Sequence, residues 1–222
     1  MARSVPKVRR KTGRVWEPTD WQCIGILSVL VAVFFSPFLL GRAFLWEDFV
    51  YQWYPFRQFA ASTLAQGELP LWNPYTFNGM PFLAEVQTEV FYLPMTLLTL
   101  FVHGGRLDVF WLQLVNILHY WLAGVGMFML SRSYSLRRIP SLFAGIAYAF
   151  SGFMVAHGIH QVILVVVAWF PMILWLFRKS FSSPRWSWVC VAGIVLGHSF
   201  FGGSPQMSLF MYLFLLCYVL FE

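Results

Sequence analysis

Two adjacent carboxylates, Glu47 and Asp48, close the first long apolar run of the chain. A carboxylate partly withdrawn from water becomes a better base, and an adjacent pair can also hold a cation. The two residues are therefore candidates for a general base or for metal ligands, set against an acidic pair that simply ends a helix and faces water. Arg42 and Arg57 flank them, with the charge to meet a phosphate or to snorkel toward headgroups. Further on, Trp72, Asn73, Tyr75 and Gln87 combine ring faces with amides. Such groups stack on sugar rings and bond their hydroxyls, or anchor a loop at a membrane interface. His157 and His160, three residues apart, can share a helix face as metal ligands or phosphate partners, or form a solvated turn; Gln161 follows directly. Ser204 and Gln206 form a later polar pair. His119 and Asn116 sit inside an apolar run and suit helix-to-helix hydrogen bonds, while His198 has no assigned role.

The elements that must position these groups are dominated by hydrophobic residues. Of 222 residues, 59% are hydrophobic, 20% aromatic and only 11% charged, and the mean hydropathy is +0.66. Too few charged side chains remain to wet the surface of a water-soluble domain, so the composition predicts an all-α, polytopic transmembrane protein. The net charge of +6 is spread beside apolar segments and forms no single patch, which argues against nucleic acid as a partner. Cys23, Cys190 and Cys217 lie far apart inside apolar runs, without metal or redox spacing, and read as small buried apolar residues.

Apolar runs predict helices near 21–41, 109–131, 140–156, 162–177, 187–203 and 207–221. The tail 1–20 carries Arg3, Lys7, Arg9, Arg10, Lys11 and Arg14. The run that follows is close to the ~20 residues of a spanning helix and longer than the ~7–15 of a signal-peptide core. With the N-terminus in the cytoplasm, Arg132, Arg137, Arg138, Arg178, Lys179 and Arg185 fall on the same side, leaving Arg42, Arg57 and Arg106 outside. The domain 21–222 then has a long first external loop, about 42–108. The run 90–102 is too short to span and reverses this asymmetry if it does, so it reads as re-entrant or interfacial.

Within that loop, Pro55 opens and Gly67 ends a helix whose apolar positions Phe56, Phe59, Ala60, Thr63 and Leu64 keep helical rhythm, as expected of an amphipathic helix lying in the membrane interface. The stretch from Leu69 to Pro81 has too many prolines and glycines for helix or strand. It predicts an ordered loop held by Trp72, Tyr75 and Phe77, with Gly79-Met80-Pro81 as a turn. The apolar run up to Phe221 has no cap, as expected of a chain that continues in a longer protein.

The strings 48–55 (Asp-Phe-Val-Tyr-Gln-Trp-Tyr-Pro), 72–82 (Trp-Asn-Pro-Tyr-Thr-Phe-Asn-Gly-Met-Pro-Phe), Gln87 and Phe91-Tyr92-Leu93-Pro94 together resemble the bacterial YfhO family of membrane proteins. The resemblance continues through Ser151-Gly152-Phe153-Met154, His157 and His160, Ala168-Trp169-Phe170-Pro171 and Gly202-Gly203-Ser204-Pro205-Gln206. It implies an N-terminal portion of a GT-C-like fold, with a long first external loop carrying interfacial helices, in the bacterial cytoplasmic membrane. It also implies glycosyl transfer from a polyprenyl-phosphate sugar donor to a cell-envelope polymer or lipid acceptor. By that resemblance Asp48 matches the functional acid at the start of the first external loop. Glu47 fits an acidic pair only loosely, because its spacing differs from Asp-x-Asp, so a requirement for a divalent cation stays open. Arg57, Trp72, Asn73, Tyr75, Gln87, His157, His160, Gln161 and Gln206 are the expected substrate contacts. A transporter or flippase of lipid-linked sugar or polysaccharide, and a non-catalytic scaffold, are the alternatives; a transporter needs polar groups through the membrane depth, where only Asn116 and His119 qualify.

Overall fold

The computed structural model describes residues 17–43, 46–183 and 185–221; the six basic residues of the tail lie outside them. The chain is mostly helical, in the order α1 (Asp20–Phe34), α2 (Ser36–Leu39), α3 (Tyr54–Ala65), α4 (Leu93–Thr96), α5 (Val109–Ser133), α6 (Arg138–Ala149), α7 (Gly152–Ala156), α8 (Gln161–Ser182), α9 (Trp186–Phe200) and α10 (Pro205–Phe221). Three helical stretches are long and apolar enough to cross a membrane: Val109–Ser133, Arg138–Ile159 and Gln161–Ser182. The helices α1, α9 and α10 are apolar but shorter.

Local chemistry sets the boundaries. Thr19 accepts from the Gln22 N–H while the Gln22 side chain accepts from the Thr19 N–H, a reciprocal cap that starts α1. The first helix does not run on to residue 41 as expected. It stops at Phe35, and Pro37, which cannot donate a backbone hydrogen bond, opens the separate turn α2. The third apolar run is likewise divided, because Ser151 accepts from the Met154 N–H and starts α7 afresh.

α5 is the central column, packed against α6 on one side and α8 on another; α1 lies across α5 and α6, and α9 and α10 lie against α8. Missing side chains allow the closest approach. A Cβ on Gly145 of α6 would stand 2.6 Å from the Gly124 carbonyl oxygen of α5. Gly145→Ala is accordingly expected to lower stability by about 1–3 kcal/mol, because rigid backbone must move. Gly193→Ala, on open α9 surface with nothing within 4 Å, should be neutral or stabilising. Thermal unfolding in detergent checks the pair, and equal midpoints would contradict the close crossing.

The loop between α2 and α5 departs from the sequence expectations in three ways. First, α3 does not rest its apolar face on open lipid. Phe56 and Ala60 are buried with Phe82 and Val90, so the chain covers this face itself. Second, Asn73 and Met80 form an antiparallel bridge, and a two-residue hairpin pairs β1 (Val102–His103) with β2 (Arg106–Leu107) around Gly104 and Gly105, both at positive φ. Third, Tyr75 and Phe77 do not hold the 69–81 loop, being 85% and 87% exposed. It is held by Asn73, whose Oδ1 accepts from the Tyr75 N–H and whose Nδ2 donates to Thr76 Oγ1. Trp72 packs its ring on Gly79, where a Cβ would fall 2.5 Å from it and φ is +113°. The 90–102 run forms α4 and a 3₁₀ stretch with Tyr92, Met95 and Leu98 buried, and contains no spanning helix. Of the cysteines, Cys23 is buried as expected, but Cys190 and Cys217 are exposed.

Candidate functional site

Charge divides between the two ends of the bundle. At one end, Arg132, Arg137 and Arg138 pair with Glu17 and Asp20, and Arg178 lies over the Tyr134 ring at 3.8 Å. The long loop covers the other end. It is tied there by hydrogen bonds from Trp53 Nε1 to the Ile159 carbonyl (2.9 Å), Tyr54 Oη to the Leu107 carbonyl (2.9 Å) and Gln113 Nε2 to the Arg42 carbonyl (3.2 Å).

Asp48 occupies the entry of a π-helical turn, Phe49–Trp53, that runs directly into α3. The preceding Glu47 has a φ of +37°, an uncommon conformation for a residue with a side chain, and is exposed. Asp48 spends its carboxylate on no helix cap. Its Oδ2 instead faces His160 Nε2 at 3.8 Å, with both side chains about half exposed. The Trp53–Ile159 hydrogen bond lies beside this meeting and fixes the 157–160 turn against the π-helical turn. His157 donates Nδ1–H to the Phe153 carbonyl at 2.9 Å, which leaves Nε2 as the acceptor of the neutral ring, and its ring lies 5.3 Å from that of His160. Asp48, His160 and His157 are thus the expected site residues that the fold brings together. Gln87 stands nearby on the loop, accepting from Gln52 Nε2 at 2.7 Å.

Other expected residues lie elsewhere. Arg57, expected at a phosphate, is 2% exposed. It donates to the Thr88 and Gln87 carbonyls and pairs with Glu89 Oε2 at 2.6 Å. The helical rhythm placed it off the apolar face, but α4 and the 86–90 segment close over that side too. Gln161, expected in an open pocket, is fully buried, with Nε2 at 3.4 Å from Met95 Sδ. Asn73 is 3% exposed and committed to its own loop. Trp72, Tyr75 and Gln206 are exposed, Tyr75 lying edge-on to Phe59 of α3. Among the described residues, no three His, Cys, Asp or Glu side chains gather as a metal site.

Two groupings went unread in the sequence. One is Glu89, the partner of Arg57. Burial pushes its carboxyl up to about 7, against the opposing pull of the adjacent guanidinium. It has a φ of +50° and packs under Gly203, where a Cβ would lie 3.0 Å from Glu89 Cγ, so the absence of a side chain at Gly203 leaves room for it. The other is a buried aromatic and imidazole cluster. The hydroxyl of Tyr92 lies 2.5 Å from His119 Nε2 and accepts from Trp169 Nε1 at 2.7 Å, while the Tyr92 ring stacks on His198 at 4.7 Å. His119 therefore bonds the loop rather than a neighbouring long helix, and His198 closes the cluster. The Phe91-Tyr92-Leu93-Pro94 string in the sequence held the signal, since a tyrosine between apolar residues must find a polar partner when buried. Compared with known protein families, curated proteins and solved structures, the chain matches none.

Proposed function

We propose that the chain is a multi-pass protein of the bacterial cytoplasmic membrane, of the YfhO-like, GT-C-like kind, that transfers a sugar from a polyprenyl-phosphate donor to a cell-envelope acceptor at the outer face. Membrane residence is supported by the three long apolar helices and by the uncovered surface of the shorter ones. Val29 and Val33 of α1, Ile194 of α9, and Leu213, Phe214 and Leu220 of α10 are all at least half exposed. An apolar surface of this extent is costly in water and suited to lipid. Gathering of the arginines at the end away from the loop supports a cytoplasmic N-terminus.

The observation that carries the transferase reading is the pairing of Asp48 with His160 at the loop-covered end, from two distant parts of the chain. In an inverting transfer, an acceptor hydroxyl gives its proton to the Asp48 carboxylate as its oxygen bonds the sugar's anomeric carbon. The bond from that carbon to the donor phosphate oxygen breaks, and polyprenyl phosphate leaves with the electron pair. The His160 ring beside Asp48 is placed to donate a hydrogen bond to the anionic charge that builds on the departing phosphate. The resemblance in the 48–55 and 72–82 strings supports the same assignment.

The test is purified protein in vesicles carrying a radiolabelled polyprenyl-phosphate hexose, supplied with envelope extract as acceptor. Label is expected in the acceptor fraction with release of polyprenyl phosphate. Movement of intact donor across the bilayer without any transfer product would replace this reading with a flippase.

A further inference from the structure

We propose that the groove along the outward face of α3 is an acceptor subsite that binds a neutral oligosaccharide, an assignment that rests on the transferase reading. The groove encloses about 590 Å³, and Tyr51, Gln58, Phe59, Tyr75, Thr76 and Phe77 are its chief walls. Small-ligand sites span roughly 300–1,000 Å³, so the space suits a segment of glycan chain.

Its chemistry is specific. None of its lining residues is charged, so it offers nothing to a phosphate, an acidic sugar or a cationic headgroup. It does offer three rings at 84–87% exposure, Tyr51, Tyr75 and Phe77. Polar groups stand among them. Thr76 Oγ1 accepts from Asn73 and keeps its own proton to donate, whereas Ser62 Oγ donates to the Gln58 carbonyl and keeps lone pairs to accept. A pyranose presents an apolar C–H face and a rim of hydroxyls that both donate and accept, which is the complement of ring walls interleaved with such groups.

The groove is also preorganised. Phe77 and Asn78 have φ values of +52° and +59°, a region that residues with side chains seldom enter, and the turn that carries them is clamped by the Asn73–Met80 bridge. Phe77, a bulky residue in the left-handed region, is thus held in a strained conformation within a turn closed by that bridge. Anchoring in headgroups requires exposed rings but neither a concave wall nor a strained turn. The groove begins beside the proposed base. Tyr51, one of its walls, belongs to the π-helical turn that Asp48 opens. A glycan lying along α3 can therefore bring its terminal hydroxyl toward the carboxylate.

The test uses full-length protein in nanodiscs and three neutral probes, maltohexaose, cellohexaose and chitohexaose, with binding read by saturation-transfer NMR and titration calorimetry. At least one probe is expected to bind saturably. Tyr75→Ala and Phe77→Ala, at surface positions that leave the fold intact, should each weaken it about tenfold, whereas Gly193→Ala, on the open surface of α9, should leave binding unchanged. No saturable binding of any probe, or binding indifferent to both ring variants, would overturn the subsite. So would a nitroxide attached through Phe77→Cys that reports hydrocarbon rather than water around it. The two readings fail separately. Binding that follows this pattern with no transfer product removes the transferase and keeps a glycan-binding groove that serves no acceptor, while transfer whose acceptor KM ignores both ring variants keeps the transferase and removes the groove.

Discussion

Asp48→Asn is expected to lower sugar transfer by about 10²–10⁴-fold, the usual contribution of a positioned general base, while leaving the unfolding midpoint within error of the parent. The contrast follows from how the carboxylate is held. It caps no helix N–H, it is about half exposed, and its nearest charged partner is a half-exposed imidazole at 3.8 Å. An exposed ion pair of that length contributes little to stability, and asparagine keeps the shape while losing the ability to take a proton. Glu47→Gln should retain most of the transfer, because Glu47 is exposed and its own backbone, at φ +37°, departs from the turn that Asp48 opens. A steady-state transfer assay on the two variants checks both statements. Equal losses would move the base from one residue to the pair.

The second large effect belongs to stability. Arg57→Met should destabilise the protein by about 3–5 kcal/mol, the scale of breaking a buried ion pair, because it leaves Glu89 without its partner and deprives the buried Thr88 carbonyl and the part-buried Gln87 carbonyl of their donor. That is a large part of the ~5–15 kcal/mol that holds a typical domain, so a poor yield of folded protein is expected. Glu89→Gln should be the milder change. It keeps Arg57 on its two carbonyls and replaces a carboxyl that burial has already pushed up to about 7.

The pH dependence has a defined sign. With its folded pKa above its unfolded value of 4.5, Glu89 binds more protons in the folded state between those limits. Its contribution is therefore fully present below about 4.5 and is lost as pH rises through 7. Unfolding midpoints compared between the parent and Glu89→Gln should show the parent losing ground from pH 5 to pH 8. A parent that gains over that interval would show that attraction to Arg57 outweighs burial.

The long apolar helices were legible because runs of about 20 hydrophobic residues leave little choice, and α5 and α8 fall close to where those runs put them. Breaks at Phe35 and Ser151 were harder to see, since Pro37 and Ser151 each interrupt a run whose hydropathy barely changes. Within the site, the Asp48 and His160 meeting was half legible. Charge sidedness put both at one end, but their meeting depends on the Trp53–Ile159 tether and on Phe49 and Trp53 packing in one buried cluster with Val162. Arg57 was misread for a physical reason. A helical wheel records one apolar face, whereas α3 is covered on two sides, and the second cover comes from an irregular segment with no period to detect. The groove on α3 was invisible for a related reason, because the 69–81 turn must fold over the helix before Tyr75 can approach Phe59.

All of this depends on Asp48 and the arginine-rich end lying on opposite sides of a bilayer. The most direct measurement is labelling of intact cells with a membrane-impermeant maleimide, using Asp48→Cys, His157→Cys and Arg137→Cys in a chain whose three native cysteines are replaced. Positions 48 and 157 should label from outside, and position 137 only after permeabilisation. Labelling of 48 and 137 from the same side would contradict the account.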